Sequence, residues 1–499
     1  MISLPMLLWS IPLLLAVLLV LLKPKYKNLA PGPPKLPLIG NLHQLGTLPH
    51  YSLWELSKKY GPVMHLRFGQ VPVVIISSSE AAKELFKAND LYSCSRPRLA
   101  GTGRLSYNFL DIAFTPYGDY WREMRKICAV ELFSAKRVQS FRSIREEEVG
   151  SLIDSILKSS SSSSSPVDLS EKMLALTANT ICREAFGKSF EAKGFSQERF
   201  QEVIHEGLAV LGSFSAADFF AGIGWIVDRL TGLHARREKT FLEFDEFYQK
   251  VIDDHIQKGK RSYGHEDIID VLLELEKDQT AGIQLSQDHI KAILMNIFLG
   301  GVDTGAIVMV WAMAELVKNP RVMKKAQEEI RNLTGDKAKV SETDIEKLDY
   351  LKLIIKETMR LHPPGTLLIP REAISKFSIK GYDIQPKTRI QVNVWAIGRD
   401  PEIWENPNEF FPERFIKNPI DFRGFNYELL PFGSGRRGCP GVGMGMALVE
   451  LALANLLYCF DWKLPFNMKE SDLNMEEASG QTTYKKQPLL LLPIKYQSA

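Results

Sequence analysis

The 499-residue sequence predicts a mainly α-helical fold: one large helical domain with a small β-rich part, preceded by a single N-terminal transmembrane helix. Three observations carry that expectation. From Ser79 to Leu361 apolar residues recur at the helical period, broken by short loops. Strand-like runs are short and confined to the region after the N-terminus and to the last third of the chain. From Ile2 to Leu22 no residue is charged, which matches the roughly 20 apolar residues needed to cross a bilayer.

Taken in order, residues 1–23 read as the membrane anchor. Lys23, Lys25 and Lys27 follow it at once, and the positive-inside rule places everything after them in the cytosol. A cleaved signal peptide fits less well, because the apolar run is long, no positive charge precedes it and no small-residue cleavage site follows. Pro5 and Pro12 would kink such a helix without preventing a span. Residues 24–41 form a proline-rich hinge, in which Pro31, Pro33, Pro34 and Pro37 forbid a helix. VMHLRF and VPVVIIS are strand candidates. Ser159 to Ser165, closed by Pro166, reads as a solvated loop and not as a domain boundary, since similar helical patterns flank it. KFSIKGYDI and RIQVNVWAI are β-like pieces in a Pro-, Gly- and Asn-rich stretch from Pro363 to Pro440, and QPLLLLPIK reads as a terminal strand. Without internal repeats, residues 42–499 form one domain.

Lys+Arg 62 against Asp+Glu 59 is too balanced for a nucleic-acid footprint. The five cysteines, Cys94, Cys128, Cys182, Cys439 and Cys459, contain no CxxC pair, which argues for a reducing compartment. Four read as buried structural residues. Cys439 differs. It stands in PFGSGRRGCPG, before an apolar helical run, so Pro440 is expected at the first helical position and Gly441 and Val442 as N–H donors to sulfur. The positive end of that helix should favour thiolate. Gly433, Gly435 and Gly438 let the loop pass close to a large flat ligand, and Phe432 and Arg437 lie beside it. A thiolate in this setting suits a haem iron.

Two further patterns carry polar groups into apolar surroundings. In LKLIIKETMRL, Glu357 and Arg360 share a helical face, and a buried charge must be paired. In ILMNIFLGGVDTGAIVMVWAM, Gly300 and Gly301 each weaken a helix by about 1 kcal/mol, and Asp303 and Thr304 follow them. Trp121 and Arg125 also share one helical face.

The pattern F-x-x-G-x-R-x-C-x-G, at Phe432, Gly435, Arg437, Cys439 and Gly441, resembles the haem-binding signature of the cytochrome P-450 superfamily. FTPYGDYWREMRK, KETMRLHPP and NVWAIGRDP resemble plant microsomal A-type enzymes of the seventy-one clan, and the likeness spans nearly the whole chain. It implies the cytochrome P-450 fold and heme b, iron protoporphyrin IX with Cys439 as axial thiolate. Arg125, Arg437, Arg371 and Trp121 would then bind the cofactor, Arg125, Arg371 and Arg437 through its propionates, and Glu357, Arg360 and Arg414 would form a structural network locking the haem-binding loop. Thr304 would hydrogen-bond dioxygen and Asp303 would relay protons from solvent. The family often has Thr or Ser where Gly305 stands, which suggests a changed groove. Ile297, Gly301, Thr366, Leu367, Leu368 and Gln481 would line a substrate pocket together with Gly480 and Thr482, and residues 109–114 would form a mobile lid.

The resemblance implies an endoplasmic-reticulum monooxygenase that hydroxylates or epoxidises a small hydrophobic metabolite. Its electrons would come from NADPH-cytochrome P-450 reductase docking near Arg122, Lys126 and Arg436. A haem-thiolate dehydratase or rearrangement enzyme, for example on an aldoxime, is the alternative, and a non-catalytic haem sensor a more distant one. FFAGIGWIVDRL, residues 219–230, is either a second membrane contact or a core helix.

Overall fold

The computed structural model describes residues 28–162, 165–188, 197–258, 266–278 and 282–497. The expected anchor, residues 1–23, and the start of the hinge lie outside them. The elements that position the site are β1 (Val63–Phe68), β2 (Val71–Ile76), α1 (Asp119–Ile127), α2 (Leu169–Phe186), α3 (Gln197–Gly212), α4 (Gly224–Leu230), α5 (Leu233–Lys258), α6 (Gln287–Lys318), α7 (Asp349–Leu361), β3 (Arg371–Glu372), β4 (Arg389–Val392), α8 (Val442–Cys459), β5 (Glu477–Ser479), β6 (Thr483–Lys485) and β7 (Leu490–Lys495).

Helices dominate, and the strands form small sheets at the periphery. The largest has the order β1-β2-β4-β3: β1 and β2 make a hairpin, β4 joins β2 in parallel, and β3 pairs antiparallel with β4. β5 and β6 form a separate hairpin, and β7 pairs with Phe460–Lys463 and Val167–Asp168.

α6 is the axis of the molecule. Ser286 and His289 make its capping box, and its apolar residues are buried nearly all round the helix. It packs along α2 and α8. The close approach to α2 depends on two glycines one turn apart. A Cβ on Gly301 would lie 2.7 Å from Ile181 Cδ1, and one on Gly305 would lie 3.3 Å from Thr177 Cγ2. Both absences therefore serve helix packing, so the groove expected from Gly305 is a contact with α2 and with Val449 of α8. α6 and α8 are long and apolar enough to cross a membrane, but their apolar windows are mostly buried inside the protein, as core helices are.

Two local expectations change. Residues 159–162 of the serine run continue the helix Arg142–Ser162, because propagating an existing helix costs little even for serine. Val394–Ile397, read as part of a β piece, forms a helical turn, since the Asn393 side chain accepts the Ala396 N–H at 3.1 Å and caps it.

Glu357, on α7, is fully buried and accepts from Arg360 (2.7 and 2.8 Å), Arg414 (2.9 Å) and the Phe411 amide (2.9 Å). Arg360 spends its other donors on the carbonyls of Gly398, Pro407 and Glu409. The lock therefore ties α7 to residues 398–414. Its hydrogen bonds do not reach residues 431–441, so the expected direct lock on the cysteine loop is corrected to one on the segment preceding it. Glu357→Ala strands two guanidiniums, one wholly buried, and should cost about 3–5 kcal/mol in folding stability. Denaturant melts of wild type and variant measure this; a difference below about 1 kcal/mol, the range of a surface pair, would contradict it.

Candidate cofactor site

The loop 431–441 closes on itself through Cys439 N–H donating to Phe432 O at 2.9 Å. Gly435 has φ +67°, and a Cβ there would lie 2.6 Å from Asp90 Oδ1, so only glycine fits both the turn and the carboxylate. α8 begins at Val442 with Gly441 as its N-cap. Pro440 consequently occupies the preceding turn and not the first helical position. Of the two expected donors to sulfur, Gly441 makes the bond. Burial nevertheless pushes the thiol up, against the pull of Gly441 and Arg125. A coordinated metal cation would add to that pull and favour the thiolate. Cys439 is accessible whereas Cys94, Cys128 and Cys182 are buried. Accessibility together with strong desolvation means that the sulfur faces a hollow enclosed by protein.

Arginines surround this loop. Arg125 on α1 donates to Gly438 O at 2.7 Å. Arg437 donates to the carbonyls of Cys94 (2.8 Å), Ile112 (3.3 Å) and Thr115 (2.7 Å), and lies 4.0 Å above the Trp121 ring. Trp121 gives its indole N–H to Ile112 O at 2.9 Å. It is thus a platform for Arg437, not a cofactor donor, because its single donor is already used. Arg371, expected to face a propionate, is committed to Asp90 (2.7 Å) and Ser434 O (2.9 Å), and it clamps the loop. Asp90 also accepts from the Arg436 amide (3.1 Å) and guanidinium (2.8 Å). Burial alone would raise the Asp90 carboxyl, but Arg371 and Arg436 hold it below its usual range.

Asp90 and Arg96 escaped the sequence reading. Arg96 is buried and donates to the carbonyls of Ala113, Ile369 and Pro370. Among the described residues, Arg96, Arg125 and Arg437 form no ion pair. Burial pushes all three down, Arg437 to about 9. A cluster of desolvated cations served mainly by carbonyls lacks anionic partners. Two carboxylates of a flat cofactor held over an accessible sulfur would supply them, so the donor set fits haem.

On α6, Thr304 donates to Gly300 O at 2.8 Å, and nothing lies within 4 Å of a Gly300 Cβ position. Residues 300 and 304 therefore define the open face. Gly301, expected on that face, points at Ile181 instead. Asp303 is buried and accepts from the Thr482 hydroxyl. Burial pushes its carboxyl up, while Thr482 and His205 pull it down. Ile297 lies in the same apolar cluster as Phe109, Ile112, Phe114 and Leu208. Leu368, at φ +52°, comes within 3.8 Å of a Cβ position on Gly433, which brings it to the cysteine loop. Thr366 bonds Thr483 at 3.1 Å. Leu367 turns away and packs against the β1–β2 cluster. The Gln481 backbone abuts Gly212 at the end of α3.

The expected lid is pinned. Asp111, fully buried, accepts from the amides of Ala113 and Phe114, and Asn296 of α6 bonds Asp111 and the amides of Ile112 and Ala113. A cavity of about 810 Å³ opens beside this segment, but its charged lining (Arg104, Glu238, Asp245 and Lys291 among others) includes neither Cys439 nor Thr304, and it suits neither haem nor an apolar substrate.

A family model described as cytochrome P450 matches residues 30–491. Cytochrome P450 71B10 of Arabidopsis thaliana is 56% identical over 494 residues, covering 97% of this chain and 98% of its own. Cytochrome P450 71B34 of the same plant is 56% identical over 473 residues, 94% of each. A zebrafish cytochrome P450 solved with abiraterone superposes with a TM-score of 0.76 at 22% identity, over 91% of this chain and 100% of its own, which shows the shared fold.

The Asp90 clamp has a pH signature. Its carboxyl is held low, so its contribution is present above the unfolded value of about 4 and is lost as pH falls through the folded one. Asp90→Asn should therefore be less stable than wild type near neutral pH, with the gap closing under acid. Thermal melts at stepped pH measure it; a gap independent of pH would rule out the ionised clamp.

Proposed function

The chain belongs to the cytochrome P450 family and is a haem-thiolate monooxygenase, and from that premise we propose that it hydroxylates or epoxidises a small hydrophobic plant specialised metabolite at the endoplasmic reticulum membrane, drawing electrons from NADPH through cytochrome P-450 reductase. The observation that carries this reading is the acid–alcohol pair Asp303–Thr304 on a buried helix whose Gly300–Thr304 face is open. When bound, haem would supply the iron, and a Cys439 thiolate would supply the push that favours O–O cleavage. Cys439 would hold it from the loop, and Arg96, Arg125 and Arg437 would turn toward its propionates. Thr304, donating to Gly300 O, keeps lone pairs to accept a hydrogen bond on the open face. Asp303, one residue earlier, would hand protons to that face.

Ile297 together with Phe109, Ile112 and Phe114 supplies an apolar wall beside the open face, which supports a hydrophobic substrate. Leu368 extends it toward the cysteine loop. On the outside, α4 exposes Trp225 (53%) and Leu230 (83%), and Leu38 (85%) stands on a neighbouring turn. Gln70 N–H donates to Phe219 O and Gly69 N–H to Ile39 O, so these turns form one apolar patch. Such exposure does not fit a core helix and supports seating on a lipid surface. Arg122 and Lys126 of α1, together with Arg436, leave exposed cations around the Cys439 loop, which favours a reductase with an acidic face.

Microsomes carrying this chain and a reductase, screened against plant metabolites with products read by mass spectrometry, test the proposal. Oxygen-dependent addition of one oxygen atom is expected; turnover that persists without oxygen would replace it with dehydration or rearrangement. Cys439→Ala should abolish the red-shifted band of the reduced, CO-bound enzyme. Thr304→Ala should keep that band but divert NADPH into peroxide, and full coupling in that variant would remove Thr304 from proton delivery.

A further inference from the structure

The β5–β6 hairpin brings a hydroxyl to Asp303 from nearly 180 residues away in sequence. Its turn, 480–482, closes with Gly480 N–H donating to Thr482 O at 2.9 Å. Thr482 Oγ1 donates to Asp303 Oδ2 at 2.5 Å. Four contacts fix the hairpin behind that bond. Thr483 N–H donates to Pro364 O at 2.8 Å, and the Thr483 and Thr366 hydroxyls lie 3.1 Å apart. At the base, Glu477 accepts from His50 (2.8 Å) and from the Trp395 indole (3.1 Å), which anchors β5 to two other elements. The position of Thr482 is thus set by the scaffold, not by Asp303.

Asp303 is buried, so a proton can reach it only through a neighbour. Thr482 is half-buried, and Gly480, at the other end of the same turn, is exposed. A hydroxyl donates one hydrogen bond and accepts others, so it can pass its proton to the carboxylate and take one from water on the turn side, ending neutral. We propose that Thr482 is a positioning residue for proton delivery: its hydroxyl fixes the Asp303 carboxylate and links it to solvent at the β5–β6 turn. This rests on the reading of Asp303–Thr304 given above. His205 of α3, the other group acting on Asp303, contributes charge but no hydrogen bond to it among the described residues. Since Thr482 pulls the Asp303 carboxyl down against its burial, removing the hydroxyl moves its titration to higher pH.

The test uses haem-loaded wild type and the variants Thr482→Val, which keeps the shape, Thr482→Ala, which also lacks the hydroxyl, and Thr482→Ser, which restores it. The protonated-carboxyl infrared band that vanishes in Asp303→Asn is followed against pH. Its midpoint should rise in the Val and Ala variants and stay at the wild-type position in Ser. Product formed per NADPH should fall about tenfold in Val and Ala, short of the ~100-fold cost of losing a proton-transfer group outright, and recover in Ser. Midpoints that coincide in Val, Ala and Ser would overturn the proposal, as would a Ser variant that behaves like Val. The infrared titration needs no turnover, so failure of the oxygenation reading and failure of this inference are separate results.

Discussion

The structure around Cys439 depends on how buried cations are balanced. Arg96, Arg125, Arg371 and Arg437 gather around one loop, and among the described residues the ion pairs there come from a single carboxylate, Asp90. Desolvating a guanidinium is expensive, and carbonyl oxygens return only part of that cost. Asp90 is therefore spent where it fixes the loop, through Arg371 to Ser434 and through Arg436. The remaining arginines hold carbonyls, contacts that an anionic ligand can take over without breaking an ion pair. A loop preorganised by one pair and left short of anions elsewhere is suited to a dianionic cofactor, and it makes cofactor loading part of the stability of the chain.

The central helix solves a different problem. It must lie against α2 and α8 and still leave space on one face. Glycines at 300, 301 and 305 divide that work. Gly301 and Gly305, one turn apart, admit Ile181 and Thr177 of α2, while Gly300, one turn before Thr304, leaves space on the Thr304 face. Adjacent glycines that look equivalent in sequence thus point about 100° apart on the helix, one toward packing and one toward open space.

That division marks how far the sequence could be read. Cys439, Glu357 with Arg360, and the Asp303–Thr304 pair were legible because each lies in a local pattern whose chemistry requires it. Helix period identified α6 and α7, and short runs of strand-forming residues identified β1 and β2. The partners of Asp90, Arg96, Asn296 and Thr482 were not legible, since they lie between 17 and 346 residues away and nothing local points to them. The Asp90 partner of Arg371 was hidden for the same reason: an arginine in IPRE has no visible partner until the fold brings Asp90 to it. Gly301 was placed on the wrong face because two consecutive glycines fit either face until Ile181 shows which is filled.

The same topology ties Asp303, the end of α3 and the turn leading to Leu368 to one element. The β5–β6 hairpin carries Gln481 against the end of α3 and Thr482 onto Asp303 within one turn. It is tied at Thr483 to the Pro364–Thr366 turn, from which the chain runs directly to Leu368. Glu477 at the base and Thr483 beside the tip are both anchored, so the hairpin holds Gln481 against α3 and Thr482 on Asp303 as one unit, and the Thr482–Asp303 bond is fixed by contacts on either side of it.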